Sequence, residues 1–463
     1  MPALAPTSSP AAPRLVARVA AALLAGALVA CGPAGDADGV GDGPAVRHVV
    51  LVVLDTTAAH HLGCQGGHPE ASPVLDDLAA RGVRFEEARS NTTWTLPSSA
   101  SLFSGRWPET HGVVTAQHGL PDDLPLVTET FADAGWRVGH LTQMVFSSAR
   151  HGFDRGVETY AYFGQRTRND DLRQALDDWF AAADERPSLL SVHMRRPHSP
   201  YQPDEVFRAP FEAGCPLADG RADAELAFID SAEDPDPDAA EREHLLHLYR
   251  GNLREADTHL GELVARLGDA LERDTLLVVT SDHGEGLGEH GDYGHGPELY
   301  GEHVRIPLIV VGPGLGPAVV DAPVSTVDVA PTLYELAGVA PPGPFDGRSL
   351  AALLAGSEDD GLGPGVVPLS GRRYPGETAQ VGAVAGGWKL VRAPDGALRL
   401  HALADDPDER HPRPLEDAPP ELRAALERVV EALAAWRPAP PGVRAAPLDP
   451  ELEADLRALG YLK

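Results

Sequence analysis

Two carboxylates and one imidazole follow two apolar segments of the chain. Asp55 comes directly after the run that ends at Leu54, and Asp282 and His283 come shortly after the run 275–280. In open α/β sheets, ligands bind beyond the carboxyl ends of the strands, so one sheet edge is expected to carry all three side chains. Such a set neutralises and ligates one divalent cation. An isolated Asp after a strand is otherwise most often a turn or cap residue.

A cluster of small hydroxylic residues, TWTLPSSASLFSG, occupies positions 93–105. The proline in its first turn and the apolar residues after it are typical of a helix N-terminus. Free backbone N–H groups at such an end favour an anion. A threonine hydroxyl placed there beside a cation can act as a nucleophile. Simple capping is the alternative that composition alone favours.

Two further segments are rich in histidine. The segment 193–201 reads HMRRPHSPY and includes His193 and His198, and the glycine-rich segment 288–296 includes His295. Histidines can protonate a leaving oxygen or bind the oxygens of a transferred group. The chain has 19 histidines, so some of these are expected to be merely solvated.

The charge balance argues against a nucleic acid partner. The 463 residues include 38 Lys+Arg and 69 Asp+Glu, which gives a formal charge of −31. Nucleic acids bind through clustered basic side chains, so we expect no nucleic acid partner. Lys389 and Lys463 are the only lysines, which excludes a mechanism based on an active-site lysine before position 389.

The alternation of apolar and amphipathic segments predicts an α/β protein. We expect a three-layer sandwich with a large, mostly parallel central sheet covered on both faces, and a smaller C-terminal α+β subdomain. The predicted strands cover 46–54, 136–141, 188–193, 275–280 and 306–311, and the predicted helices cover 73–81, 126–134 and 245–271. In the C-terminal part, a hairpin is expected over 387–393 and 397–403, followed by a helix over 420–436.

The N-terminal segment has the features of an export signal. Arg14 and Arg18 precede a short apolar run, which ends in LVAC at a position that looks like the lipobox of a bacterial lipoprotein. The prediction is a signal peptide over 1–31 with lipidated Cys31, then a flexible tether over 32–45. The chain would then reside on the periplasmic or outer face of a membrane, attached only through Cys31. A plain signal peptide with a chance cysteine is the alternative.

The remaining boundaries are predicted from composition. We expect a catalytic domain over 46–356 and a subdomain with a tail over 366–463, separated by the stretch SEDDGLGPG. Cys64 and Cys215 remain, and export would permit a disulfide, but their spacing does not show whether they pair.

Taken in order, these motifs resemble the sulfatase family of the alkaline phosphatase superfamily. The resemblance spans about 47–353 and rests on LDTTAAHHLGCQGG, TLPSSASLFSG, ETHGV, RPHSPY, TSDHGEGLGEHG, GHG and RIPLIVVGPG. It implies one divalent metal held by Asp55, Asp282 and His283, with Thr95 at the nucleophile position. It places His198 and His295 where the family contacts the transferred group and the leaving oxygen. The family binds Ca²⁺ for sulfate chemistry, and Zn²⁺ or Mn²⁺ for Thr-type phosphate chemistry.

The chain departs from the family pattern at several positions. Sulfatases carry Cys or Ser, oxidised to formylglycine, where this chain has Thr95. A threonine ester has no second hydroxyl to expel sulfate, so water must attack it directly, a route familiar for phosphoryl groups. Thr56 replaces a second ligand Asp, and Ser99 replaces an Arg. The family's lysine has no counterpart, and His295 is expected to fill its space.

These observations leave two main hypotheses. The first is a metal-dependent hydrolase or transferase that acts on phosphate or sulfate esters through Thr95, with His193 and Ser99 contacting the substrate. The ester would be a small molecule, a glycan or a lipid. The alternative is a non-catalytic relative that binds an anionic glycan or lipid headgroup. Candidate anion-binding arginines are Arg150, Arg155, Arg195 and Arg196.

Overall fold

A computed structural model describes residues 46–164, 169–212, 217, 236–357, 365–372 and 379–437. The predicted signal peptide over 1–31 with Cys31, the tether over 32–45, Cys215 and the tail beyond 437 lie outside the described residues. Within the described residues, no helix is long and apolar enough to cross a membrane.

The strands, numbered in chain order, begin with the long apolar run that sequence analysis predicted. They are β1 (His48–Leu54), β2 (Val83–Phe85), β3 (Ala88–Arg89), β4 (Arg137–Thr142), β5 (Thr159–Tyr162), β6 (Ser188–Met194), β7 (Thr275–Thr280), β8 (Gly286–Leu287), β9 (Tyr293–Gly294), β10 (Leu308–Val311), β11 (Ala318–Val320), β12 (Val324–Ser325), β13 (Val367–Ser370), β14 (Val381–Ala385), β15 (Trp388–Arg392) and β16 (Leu398–Ala402).

The helices fill most of the segments between these strands. They are α1 (Pro73–Arg81), α2 (Thr95–Ser104), α3 (Pro108–His111), α4 (Val127–Asp133), α5 (Asn169–Ala181), α6 (Glu205–Arg208), α7 (Ala239–Leu267), α8 (Ala270–Arg273), α9 (Gly301–Val304), α10 (Val329–Ala337), α11 (Ala351–Leu354) and α12 (Pro420–Ala435).

Within the described ranges, the large sheet has eight strands, in the order β11-β2-β10-β7-β1-β6-β4-β5. Only β10 among these runs antiparallel to its neighbours, β2 and β7. The prediction of a large, mostly parallel central sheet is therefore confirmed. β1 lies between β6 and β7, so its end is flanked by the ends of two parallel strands.

Alternate side chains of β1 enter two separate cores, which makes the sheet the middle of three layers. Val49, Leu51 and Val53 pack in a core with residues of α2, α4 and α10. Val50, Val52 and Leu54 pack in the opposite core with residues of α1, α5 and α7. This period of two on a strand buried on both faces explains why β1 reads as a continuous apolar run.

The C-terminal part forms a second, antiparallel sheet in the order β13-β14-β15-β16, and α12 packs against it. The predicted hairpin corresponds to β15 and β16. This sheet contacts the segment that leads into α2. The Asn91 side chain donates to the Pro368 carbonyl at 2.9 Å, and the Trp94 indole donates to the Arg372 carbonyl at 2.8 Å. The smaller sheet therefore supports the N-terminus of α2.

Candidate active site

The register of the central strands brings the strand-end residues together. Val53 of β1 lies opposite His193 of β6 and Thr280 of β7. Asp55 therefore leaves β1 beside the segment that carries Asp282 and His283.

Asp55, Asp282 and His283 form one buried cluster. A ligand atom of each lies within 4.8 Å of those of the other two, and all three residues are fully buried. His283 Nε2 is 3.6 Å from Asp55 Oδ1 and 3.5 Å from Asp282 Oδ2. His283 Nδ1 donates to the Gly284 carbonyl at 2.9 Å, because a carbonyl can only accept. The lone pair of Nε2 therefore faces the two carboxylates, as in metal-binding histidines.

The chemistry of this cluster fits a divalent cation. Both carboxylate oxygens of Asp55 and Oδ2 of Asp282 are buried without a hydrogen-bond partner among the described residues. Burial, reinforced by the adjacent Asp282, raises the pKa of Asp55 well above its usual value. Two adjacent buried carboxylates are costly unless a positive charge compensates them. Hard oxygen ligands with one imidazole supply that fit.

Thr95 is the first residue of α2, and its side chain reaches this cluster. It is fully buried, and its Oγ1 lies 3.4 Å from His283 Nε2. Ser98, three residues after Thr95, donates to the Asp282 carbonyl at 2.5 Å. This hydrogen bond fixes the helix against the segment that carries Asp282 and His283. Ser99 lies one turn beyond Thr95 and is buried on the same helix face. The helix N-terminus adds positive potential at the Thr95 hydroxyl.

His193 lies beside the carboxylates. Its Nε2 is 3.7 Å from Asp282 Oδ2, and its Nδ1 hydrogen-bonds Ser147 Oγ at 2.9 Å. Burial lowers the pKa of His193 to about 4, so the ring is neutral at physiological pH. The structure places it against a predicted metal ligand, and its contact with substrate stays a prediction.

His198 and His295 lie next to each other, and His295 also lies next to His283. Their ring centroids are 5.1 Å apart, and the His295 ring is 4.6 Å from that of His283. His198 Nδ1 donates to the Ser199 carbonyl at 2.7 Å, and burial lowers the pKa of His198 to about 3. His198 is therefore neutral, with Nε2 as an acceptor. His295 Nδ1 contacts Oε1 of the buried Glu285 carboxylate at 3.0 Å.

Several residues of the site were not identified from the sequence. Ser281 Oγ contacts the carbonyls of Leu54 and His283, each at 2.6 Å, and so joins β1 to the ligand segment. Tyr249 on α7 donates to the Thr56 carbonyl at 2.9 Å. Glu285 could have been predicted as a site residue, because it lies only two residues after His283. Tyr249 has none, because it arrives from a distant helix.

Thr56 contributes to the site through its backbone. It has a positive φ of 55°, and its N–H points to Asp282 Oδ1 at 3.3 Å. Thr56, expected from the resemblance to replace a second ligand Asp, here donates a backbone hydrogen bond to an existing carboxylate. Its hydroxyl is buried without a hydrogen-bond partner in the described part of the chain.

Three of the four candidate arginines separate into two groups. Arg196 forms an ion pair with the buried Glu255 at 3.1 Å, and Arg155 pairs with Glu129 at 2.7 Å, so the structure assigns both to other contacts. Arg195 lies close enough to Asp55 to lower its pKa against the larger effect of burial. It therefore brings positive charge to the cluster.

Comparison with known proteins agrees with this architecture. A model of the family described as "Sulfatase" matches residues 47–339. Arylsulfatase K of Mus musculus is 32% identical over 422 residues, covering 78% of this chain and 75% of the relative.

Among solved structures, a protein in complex with its substrate D-glucosamine-2-N,6-O-disulfate superposes with a TM-score of 0.70 at 17% identity, covering 84% of this chain and 97% of that one. The phosphonate monoester hydrolase of Agrobacterium radiobacter gives a TM-score of 0.62 at 19% identity, covering 80% and 91%.

The family match covers well over half of the chain. The chain therefore belongs to the sulfatase family, and it is a hydrolase of the alkaline phosphatase superfamily. The resemblance stated from the motifs is confirmed at that level.

Proposed function

We propose that this protein hydrolyses phosphate or sulfate esters with Thr95 as the nucleophile and one divalent metal ion held by Asp55, Asp282 and His283. The observation that carries the proposal is the position of the Thr95 hydroxyl, 3.4 Å from His283 Nε2 at a helix N-terminus beside the unpartnered carboxylate oxygens. A pure binding module has no need of a buried hydroxyl at that point.

A bound metal ion would lower the pKa of the Thr95 hydroxyl and neutralise charge on the group being transferred. Thr95 Oγ1, after loss of its proton to water, attacks phosphorus or sulfur and forms a threonine ester. The bond to the substrate's alcohol oxygen breaks, and that oxygen takes a proton from His295. The Glu285 carboxylate beside His295 Nδ1 favours the protonated ring that this step requires.

In the second step, water attacks the threonine ester directly. His295, now neutral, accepts a proton of that water. The bond from Thr95 Oγ1 to phosphorus or sulfur breaks, and Oγ1 takes a proton back from solvent, which restores the hydroxyl. An acceptor alcohol in place of water would make the same site a transferase. His198, neutral and with Nε2 as an acceptor, is suited to receive a hydrogen bond from a substrate hydroxyl.

The absence of a formylglycine precursor favours phosphorus over sulfur, because the threonine ester must be cleaved by direct attack. The similarity in fold to a phosphonate monoester hydrolase is compatible with that preference. The complex with a sulfated glucosamine supports an anionic sugar ester as the alternative substrate class. The metal depends on the substrate: Zn²⁺ or Mn²⁺ for phosphate, and Ca²⁺ for sulfate.

We also propose that the catalytic domain over 46–356 is exported and held at a membrane only by a lipid on Cys31, through the tether over 32–45. This rests on the basic, apolar and LVAC segments of the sequence alone. Mass spectrometry of the N-terminal peptide from native membranes tests it: an unmodified Cys31 in the mature protein would exclude the anchor.

A panel of aryl probes tests the activity. Sulfate, phosphate monoester, phosphodiester and phosphonate probes are assayed with Ca²⁺, Mg²⁺, Mn²⁺ and Zn²⁺, and the best probe identifies the transferred group. Turnover that is lost both on chelation and in Thr95→Ala supports the proposal. Full turnover in Thr95→Ala excludes Thr95 as nucleophile. A folded protein that binds sulfated or phosphorylated glycans without turnover would favour the non-catalytic alternative.

A further inference from the structure

A second cluster of ligating side chains lies outside the site described above. It consists of His60 and His61, in the loop after β1, and Glu289, in the turn between β8 and β9. Ligand atoms of the three residues lie within 4.8 Å of one another. His60 Nε2 is 3.6 Å from Glu289 Oε1, and His61 Nε2 is 4.0 Å from the same oxygen.

The cluster is held in place by its surroundings. His61 is 94% buried, since its relative exposure is 6%, and its Nε2 has no hydrogen-bond partner among the described residues. Its ring packs against Tyr249 at 4.7 Å and against His60 at 4.0 Å. Glu289 Oε2 accepts from the Leu287 N–H at 2.6 Å, which leaves Oε1 for the histidines. An unpartnered buried imidazole nitrogen is therefore aimed at a carboxylate oxygen.

We infer that His60, His61 and Glu289 form a second metal site, which takes a Zn²⁺-class ion. Two imidazoles and one carboxylate suit zinc better than calcium or magnesium, which prefer oxygen ligands. Ligand atoms around tetrahedral zinc are about 3.4 Å apart, so the observed separations require only small side-chain rotations. The half-exposed His60 ring is free to make such a rotation.

Three protein ligands leave one coordination position open. The cluster borders a cavity of about 700 Å³, whose wall also includes His68, Arg242 and Arg250. The open position faces this cavity, where water or an anionic group completes the coordination and the arginines compensate the anion's charge.

This ion would join the two segments that carry the predicted catalytic residues. His60 and His61 lie five and six residues after Asp55, and Glu289 lies between Glu285 and His295. A bond between the segments restricts their relative movement without entering the Asp55 cluster. The metal-binding inference does not depend on the proposed reaction.

Counting bound metal tests the inference. Full-length protein in detergent is stripped with a chelator, equilibrated with buffered Zn²⁺, and its metal is counted by mass spectrometry. His61→Ala and Glu289→Gln should each hold one equivalent fewer than the wild type. His68→Ala, in the wall of the same cavity, should match the wild type. In a parallel experiment with Co²⁺, visible absorption from the bound ion should be lower in His61→Ala and Glu289→Gln than in the wild type, and unchanged in His68→Ala.

Equal metal content in the wild type and both cluster variants would overturn the inference and leave an ordinary polar contact between His60 and Glu289. Far-UV circular dichroism checks folding. If His61→Ala unfolds, Glu289→Gln decides the question, because it is nearly isosteric and changes a partly exposed side chain. Asp282→Asn separates the two sites. If the proposed reaction is wrong, the activity and the metal held by Asp282 will differ from expectation. The difference in metal content between the wild type and Glu289→Gln will still be observed.

Discussion

The two clusters of metal-ligating side chains draw on the same two chain segments but differ in chemistry. The inner cluster, Asp55 with Asp282 and His283, is fully buried and rich in oxygen. The outer cluster, His60 with His61 and Glu289, is partly exposed and rich in nitrogen. The same two segments thus present a hard, oxygen-rich ligand set in the interior and a borderline, nitrogen-rich set closer to solvent.

Burial decides what each cluster costs when no ion is bound. Water cannot easily reach the inner carboxylates, so their charges stay uncompensated and a cation relieves a large penalty. In the outer cluster, Glu289 can pair with His60 and solvent can reach both residues. We therefore expect the inner cluster to govern activity and the outer cluster to modulate it.

The largest effect is expected for Thr95→Ala, which removes the hydroxyl beside the inner cluster. Turnover of the best probe should fall by about 10⁴-fold or more, as for other nucleophile deletions. Thr258→Ala, which removes a hydroxyl that donates within α7 to the Arg254 carbonyl, should leave turnover unchanged. If Thr258→Ala lost as much turnover as Thr95→Ala, the effect could not be attributed to the position of Thr95 beside the inner cluster.

Asp55→Asn should change stability in opposite directions with and without metal. In chelated protein, removing one of two adjacent buried carboxylates should raise the melting temperature by about 2 °C. Metal should then give little of the stabilisation that it gives the wild type. Thermal melts of both proteins in chelator and in metal measure this. A chelated variant that melts below the chelated wild type would contradict the account of uncompensated charge.

Glu285→Gln should reduce kcat by about 10- to 100-fold, the range usual for a residue that supports a functional histidine. Glu285 is a positioning residue, since it acts through His295. The loss should shrink for probes with acidic leaving groups, because these depart without a proton. A loss that is equal across leaving groups would indicate a purely structural role.

The smallest effect is expected for His61→Ala at the rim. Turnover should fall by less than about ten-fold, because the inner ligands stay in place. His68→Ala serves as the matched control, and both are measured with the probe that the wild type prefers. A loss as large as that of Thr95→Ala would mean that the outer cluster takes part in the chemistry.

Strand-end residues could be placed from the sequence, because neighbouring parallel strands bring the residues at their carboxyl ends to one edge of the sheet. Asp55, Asp282 and His283 meet for that reason. The interactions that orient them could not be foreseen. Tyr249 reaches Thr56 from α7, across 193 positions of sequence. Arg196 belongs to the RPHSPY motif, but it forms an ion pair with Glu255. Glu255 lies on α7, so this pair becomes visible only in the folded structure.

The fold showed the same division. The boundaries of α1 and β7 match the predicted ranges, since periodicity and helix signals are local. Strands β2 and β11 were not predicted, because three residues carry too little pattern. The reversed direction of β10 likewise depends on its partners.

The most direct test of the central claim is to trap the reaction and locate the transferred group. Metal-loaded protein is mixed with the best probe and quenched in acid, and its peptides are analysed by mass spectrometry. The account predicts a phosphoryl or sulfuryl adduct on the peptide that contains Thr95, absent from Thr95→Ala and from chelated protein. An adduct on another side chain, or an unchanged adduct in Thr95→Ala, would contradict it.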